Sequence, residues 1–185
     1  MVTLSTLTLT LTLLGVTTTT LAAPTLTTRQ EATTTVSVPL TGVTHSITAS
    51  LGGALRFDPD NVVAEIGDVI EWHFLPLNHT VAQSNFANPC VPLADGSSFF
   101  PGFEFATSAG QADDVFQIVV QDKNPIWYYC PQGRHCQAGM SGVINQDFNG
   151  GATLAAYKAN SVDTVTVIPE VNGEAIPNPN PDGGF

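Results

Sequence analysis

Basic residues are scarce in this chain, which contains 5 Lys and Arg against 16 Asp and Glu. The resulting formal net charge of -11 at pH 7 opposes binding to nucleic acid and to anionic lipid headgroups, because both require clusters of positive side chains. We therefore expect neither nucleic acid nor a membrane as a partner. Hydrophobic residues make up 43% of the sequence and charged residues 11%, so a packed core is expected beneath a surface of mostly uncharged polar groups.

Long hydrophobic runs are also missing. No stretch approaches the roughly 18 apolar residues that a membrane-spanning helix needs. Residues 1–23 contain an apolar run that is followed by the small residues Ala22 and Ala23. Export signals have this pattern, although here no Lys or Arg precedes the run. The C-terminal residues lack the hydrophobic tail that a glycolipid anchor requires. We predict a signal peptide over 1–23 and a secreted protein, either extracellular or associated with the cell wall.

Cysteine is limited to three residues, Cys90, Cys130 and Cys136. Thiols of exported proteins form disulfides in their oxidising surroundings, and three cysteines cannot all pair within one chain. One cysteine is therefore reactive, shared with another chain, or occupied by a ligand.

The rest of the sequence divides into a stem, a domain and a tail. Residues 24–40 are Thr-rich without alternation and predict a flexible stem. Residues 41–168 contain about seven short alternating or β-branched runs separated by turn residues, which predict an all-β antiparallel sandwich or barrel. A short helix is predicted over Thr153–Ala159 and an added strand over Asp163–Ile168. Residues 169–185, rich in Pro, Asn and Gly, predict a disordered acidic tail.

One loop between two predicted strands concentrates the chemistry of the chain. Cys130, His135 and Met140 occur there at Cys-x4-His-x4-Met spacing, and His79 ends an earlier segment. Two imidazoles, a thiolate and a more distant thioether are the ligand set of electron-transfer copper sites. Taken singly, each of these residues is more often a packing or loop residue, so the interpretation depends on their joint occurrence.

The segment 130–140 resembles the ligand loop of blue copper proteins, and its His135-Cys136 pair is similar to that of the plant phytocyanins. Over residues 43–146 the chain is also similar to secreted cupredoxin-like proteins of fungi, some of which are described as extracellular serine-rich proteins. The resemblance implies a Greek-key cupredoxin fold with one type 1 copper ion. It further implies a disulfide and a set of copper ligands, namely Cys90–Cys136 and His79, Cys130, His135 and Met140.

The segment around His79 departs from the family pattern. Many relatives have Asn after the first ligand His, where this chain has Thr80, so the surroundings of the metal are expected to differ. The same segment, Asn78-His79-Thr80, is an N-glycosylation sequon with Asn78 as the acceptor.

Two other chemistries use the same residues. A zinc site could be assembled from His79, Cys130, His135 and Cys136, although adjacent ligands at 135 and 136 make a tetrahedral arrangement difficult. A cysteine nucleophile assisted by a histidine is the second alternative. His45 and His73 are interpreted as ordinary core or surface histidines.

The functional expectation is a monomeric one-electron carrier that is not an enzyme and whose partner is a redox protein or a small reductant. His135 would present its ring edge to solvent as the port for the electron. The aromatic run Trp127-Tyr128-Tyr129 is expected to pack the core. The alternative function is a non-redox protein of the cell wall or extracellular matrix that binds or sequesters copper.

Overall fold

The computed structural model describes residues 38–171 and 173–178. The predicted signal peptide, residues 24–37 of the stem, and tail residues 172 and 179–185 lie outside this part of the chain. Ten strands and one α-helix occur in it, in this order: β1 (Thr44–Ala49), β2 (Phe57–Asp58), β3 (Asn61–Val62), β4 (Val69–Phe74), β5 (Ala82–Ser84), β6 (Phe116–Val119), β7 (Ile126–Tyr129), β8 (Ser141–Ile144), α1 (Leu154–Ser161), β9 (Glu170–Val171) and β10 (Glu174–Ala175).

Eight of the strands form two four-stranded sheets, in the orders β2-β1-β4-β6 and β3-β8-β7-β5. The predicted all-β class with a single helix is confirmed, and the two sheets form an open sandwich rather than a closed barrel. The sheets are mixed, because β1 pairs with β4 and β3 pairs with β8 in parallel. Parallel neighbours need a crossover connection, which the chain provides by crossing to the other sheet between β2 and β4.

The core between the sheets is built from alternate residues of the strands. On β4, Ile70, Trp72 and Phe74 are fully buried and their neighbours are partly exposed, as a half-buried strand requires. Tyr128 of the second sheet meets Trp72 edge to face, with 5.3 Å between the ring centroids. This core also includes Cys130, so the sandwich is continuous with the predicted ligand loop.

The aromatic run before Cys130 packs the interior as predicted, but in three separate clusters. Tyr128 belongs to the main core, whereas Tyr129 packs with Cys90 and Cys136. Trp127 stacks on Tyr157 of α1, with ring centroids 5.2 Å apart and planes 6° apart.

The helix α1 lies within one or two residues of its predicted position. The hydroxyl oxygen of Thr153 caps its first turn by accepting from the Ala156 amide at 3.2 Å, as preferred cap residues do. Within the described residues, no helix is both long and apolar enough to span a membrane.

The segment after α1 differs from the prediction. No strand forms over Asp163–Ile168, because the backbone groups there bond to individual groups of other segments: the Val167 amide donates to the carbonyl of Cys90 at 2.9 Å, and Gln137 Nε2 donates to the Thr164 carbonyl at 3.2 Å. Strands β9 and β10 form a short hairpin inside the tail that we predicted to be disordered from residue 169.

The carboxylate of Asp68 joins the start of the domain to β4. Asp68 is 4% exposed and accepts hydrogen bonds from the Thr41 hydroxyl at 2.5 Å and the Glu65 amide at 2.9 Å, while His45 Nε2 lies 2.8 Å from it. These bonds, first that of Thr41 and then that of His45, lower the pKa of Asp68 from 3.8 to about 2. Hydrogen bonds to a carboxylate favour its charged form.

We predict that Asp68 makes the domain sensitive to acid. Because the folded-state pKa is below the unfolded value, the stabilisation is complete above pH 3.8 and is lost as the pH falls towards about 2. Asp68→Asn should lower the melting temperature at pH 6, and the difference from wild type should shrink towards pH 2. Thermal melts across this range test it, with Asp58→Asn in the exposed pair with Arg56 as the control. A difference that does not depend on pH would contradict the assignment.

Candidate metal centre

Three of the four predicted ligands converge on one point. The donor atoms of His79, Cys130 and His135 all lie within 4.8 Å of one another. The Cys130 Sγ lies 3.5 Å from His135 Nδ1, and the centroids of the two imidazole rings are 5.0 Å apart. All three side chains are buried, with exposed fractions of 1%, 0% and 2%. Two imidazoles and a thiol therefore face one another in a small, buried volume.

The loop from 130 to 140 is fixed at both ends by paired strands. Cys130 follows β7 and Met140 precedes β8, and the amide of Cys130 donates to the Met140 carbonyl at 3.0 Å. Inside the loop, the Met140 amide donates to the carbonyl of His135 at 2.9 Å. Gly133 and Gly139 have φ values of 44° and 96°, in the left-handed region that glycine adopts without steric penalty.

Strand pairing brings His79 close to Cys130 and His135. Strand β5 runs antiparallel to β7, with Ala82 opposite Tyr129, so the residues just before β5 lie beside those just after β7. The side chain of Asn78 then joins the two loops by donating to Gln132 Oε1 at 3.1 Å. Thr80, which departs from the family pattern, donates its hydroxyl to the Gly102 carbonyl at 2.5 Å.

Met140 is fully buried and belongs to the same core cluster as Cys130. Its backbone pairs directly with that of Cys130, which places it at the base of the loop. Its role as a fourth, axial ligand remains a prediction.

Burial sets the protonation of the three groups. Burial lowers the pKa of His79 from 6.5 to about 4, and a backbone hydrogen bond to Pro76 opposes this effect. Burial and the proximity of His79 also lower the pKa of His135 to about 4. For the Cys130 thiol, burial raises the pKa from 9.0 to about 11. At neutral pH both imidazoles are neutral and ready to ligate, whereas the thiol must release a proton to a metal ion.

The donor atoms of His79, Cys130 and His135 are suited to a soft metal cation. Among the described residues, no partner hydrogen-bonds to the buried His79 Nδ1, and an unsatisfied buried nitrogen is unfavourable unless a ligand occupies it. An imidazole lone pair and a thiolate are donors for copper or zinc. A metal ion at the common point would satisfy them.

One expectation about the site is wrong. We predicted that His135 presents its ring edge to solvent, but the residue is only 2% exposed. Ser161 at the end of α1 donates its hydroxyl to the carbonyl of the adjacent Cys136, and the segment after α1 accepts a hydrogen bond from Gln137.

Cys90 and Cys136 form the disulfide implied by the family resemblance, and Cys130 is left as a buried thiol. This pairing removes Cys136 from any zinc set. His45 and His73 lie apart from the site in pairs with acidic residues, Asp68 at 2.8 Å and Glu71 at 2.7 Å.

The sequon residue Asn78 is 4% exposed and its amide nitrogen donates to Gln132. A glycan on Asn78 would have to replace this hydrogen bond between the two ligand loops. In the sequence, Asn78 is recognisable only as a sequon, and Gln132, which is fully buried, belongs to no motif. Only their positions could have indicated a role at the site, because each is within three residues of a predicted ligand.

Comparison with known proteins places the chain among fungal relatives. An extracellular serine-rich protein of Arthroderma benhamiae is 34% identical over 137 residues, which are 72% of this chain and 51% of the relative. The protein named Probable GPI-anchored cupredoxin-1, of the same fungus, is 29% identical over 115 residues, 62% of this chain and 57% of the relative. The chain is homologous to these two fungal proteins. It spans little more than half the length of either, and no protein-family model matches it.

Solved structures similar to the chain include several cupredoxins. The purple cupredoxin from Nitrosopumilus maritimus is 17% identical with a TM-score of 0.34, covering 54% of this chain and 95% of the other. Native pseudoazurin from Hyphomicrobium denitrificans is 15% identical with a TM-score of 0.39, covering 65% and 95%. The sheet order described above, rather than these alignments, defines the fold.

We predict that the disulfide stabilises the domain strongly without contributing a ligand. It joins residues 46 positions apart, and closing a loop of that length is worth about 4 kcal/mol in the chain-entropy model. The double variant Cys90→Ala/Cys136→Ala should lose a few kcal/mol of unfolding free energy in urea, yet still bind one metal ion when folded. Loss of metal from the folded double variant would mean that Cys136 or Cys90 is a ligand.

Proposed function

We propose that the chain is a secreted protein with one type 1 copper ion, held by His79, Cys130 and His135 with Met140 as a long axial ligand, and that it carries single electrons. The observation that supports this most is the convergence of two buried imidazoles and one buried thiol within 4.8 Å. Trigonal His₂Cys sites with a weak axial thioether belong to electron-transfer copper proteins. The name cupredoxin of one homologue supports the same choice of metal.

Copper is favoured over zinc by the composition of the donor set. A structural zinc ion takes four strong ligands, but in the described part of the chain the His and Cys donors that cluster are three. The remaining candidate, Met140, offers a thioether, which is a soft donor suited to Cu(I). When bound, copper supplies one-electron chemistry by changing between Cu(I) and Cu(II).

The protein's contribution is to hold the donors still and dry. Cys130 is fixed to β7 and β8 by strand pairing and by its backbone bond to Met140. The bond from Asn78 to Gln132 fixes the His79 loop to the Cys130 loop. Held in this way, the ligands need little rearrangement when the charge of the site changes. We propose a carrier without enzymatic turnover.

The proposed location is outside the cell or on its surface. The predicted signal peptide and the names of the homologues, one extracellular and one GPI-anchored, support export. With a net charge of -11, a monomer of this protein would associate fastest with a positively charged redox partner, because opposite charge steers encounter. A small reductant is the other proposed partner.

A second candidate function is copper sequestration without electron transfer. The burial of His135 favours it, because electron exchange with a large partner is fastest through an exposed ligand edge. A sequestering protein would retain copper tightly and exchange electrons slowly. Reversible bleaching of the copper absorption by ascorbate within the mixing time would support the carrier, and absence of bleaching would support sequestration.

We predict that the mature protein binds one copper ion with an intense visible absorption from thiolate-to-copper charge transfer. Cys130→Ser should abolish this absorption, because the soft, strongly donating sulfur is lost. His73→Gln is the matched control, since His73 pairs with Glu71 away from the site, and it should leave the spectrum unchanged. Metal analysis and visible spectroscopy of the three proteins test the proposal. A colourless copper complex of the wild type would contradict it.

A separate prediction concerns Met140. Met140→Leu keeps an apolar side chain of similar volume in a fully buried position, a replacement that cores tolerate well. If the thioether is the axial ligand, the variant should keep the thiolate band but show a higher reduction potential, because Cu(II) loses a donor. Spectroelectrochemistry measures both. An unchanged potential would remove Met140 from the ligand set.

A further inference from the structure

The C-terminal segment crosses from one ligand loop to the other. We call the described residues 162–171 and 173–178 the strap. Its first part is bound to the loop that carries His135: the Gln137 amide donates to the Thr164 carbonyl at 3.2 Å, and the Thr166 hydroxyl donates back to Gln137 Oε1 at 2.9 Å. Gln137 is two residues from His135. The strap thus begins beside one imidazole ligand.

The middle of the strap lies against the disulfide. The amide of Val167 donates to the carbonyl of Cys90 at 2.9 Å, and its carbonyl accepts from the Tyr129 hydroxyl at 2.5 Å. Both partners belong to the buried cluster that surrounds the Cys90–Cys136 bond. Because Tyr129 directly precedes Cys130, these bonds hold the middle of the strap next to the chain segment that carries the thiol ligand.

The far end of the strap reaches the other imidazole ligand. Val171, Ile176 and Pro177 form one wall of an apolar groove whose other wall is residues 100–104. The next residue, Asn178, accepts from the Asn78 amide at 3.5 Å. Asn78 precedes His79 directly, so the strap ends beside the second ligand loop.

We propose that the strap closes the mouth of the metal centre and controls the access of copper and of redox reagents to it. The proposal rests on the metal site of the proposed function. It explains why both imidazoles are nearly inaccessible, at 1% and 2% exposure, although each belongs to a loop at the end of the sandwich. The strap is bonded to Gln137, Cys90 and Asn78, and it spans the gap between those two loops.

The strap is attached by few contacts, so it can open while the rest of the domain stays folded. Its hairpin has only two residues in each strand, and isolated hairpins are marginally stable. Val165 is 77% exposed, and the groove is lined partly by solvent-exposed residues. Segments with few buried contacts open locally at small free energies.

The test measures access to the histidines in the metal-free protein. Diethylpyrocarbonate modifies exposed imidazoles, and peptide mass mapping reads each of the four histidines separately. In the full chain, His79 and His135 should react slowly. In a variant that ends at residue 161 and so lacks the whole strap, both should react roughly tenfold faster or more, as expected for loss of a locally opening cover. His45 and His73, which are partly exposed, should react equally in both proteins and act as internal controls.

Point variants of the full-length protein test the proposal even if the truncated chain folds poorly. Ile176→Asp places a charge in the apolar groove and should speed the modification of His79 and His135 in the full-length protein. Glu174→Gln, at an exposed position of the hairpin, should have no effect. Equal rates for His79 and His135 in wild type, truncated chain and Ile176→Asp would overturn the proposal.

Copper uptake separates failure of the strap from failure of the metal site. Faster uptake of Cu(II) by the truncated chain, with an unchanged final spectrum, is expected if both proposals hold. If no variant binds copper but the histidine rates still differ, the strap stands as a cover over the two histidines, whereas the metal assignment and the control of copper access both fail. If copper binds at one rate in all variants, the metal site stands and the strap is contradicted.

Discussion

The antiparallel pairing of β5 with β7 is the constraint on which the metal centre depends. It sets Ala82 opposite Tyr129 and so brings the end of one loop, with His79, beside the start of another, with Cys130. A slip of one residue would turn every side chain of β5 to the opposite face of the sheet. The two sheets prevent such a slip, because Ala82 and Ser84 must stay buried. Packing of the sandwich and convergence of the ligands are therefore one requirement.

Burial makes the converged groups useful as ligands. It keeps both imidazoles neutral by lowering their pKa values to about 4, and it opposes ionisation of Cys130 in the absence of metal. The same burial leaves His79 Nδ1 without a hydrogen-bond partner. These penalties disappear when a cation occupies the common point. The strap extends this principle by excluding water from the open side.

The ligand loop could be predicted because its residues are close in sequence, and the disulfide because a family resemblance implies it. Cys130, His135 and Met140 are spaced within one loop, and an odd cysteine count combined with a family resemblance implies the Cys90–Cys136 bond. The course of the chain after α1 could not be predicted. Residues 163–168 have the alternation of a strand, but their hydrogen-bond partners are single groups such as the Cys90 carbonyl and the Tyr129 hydroxyl. Such partners depend on tertiary contacts that no local pattern records, and the burial of His135 was missed for the same reason.

Three side chains from two loops are proposed to bind one metal ion. X-ray absorption at the copper edge of the loaded, full-length protein tests this directly, because it identifies the atoms bound to the metal. We expect two imidazole nitrogens and one thiolate sulfur to be bound to the copper, with the sulfur lost in Cys130→Ser. A shell of nitrogen and oxygen alone in the wild-type protein would contradict it.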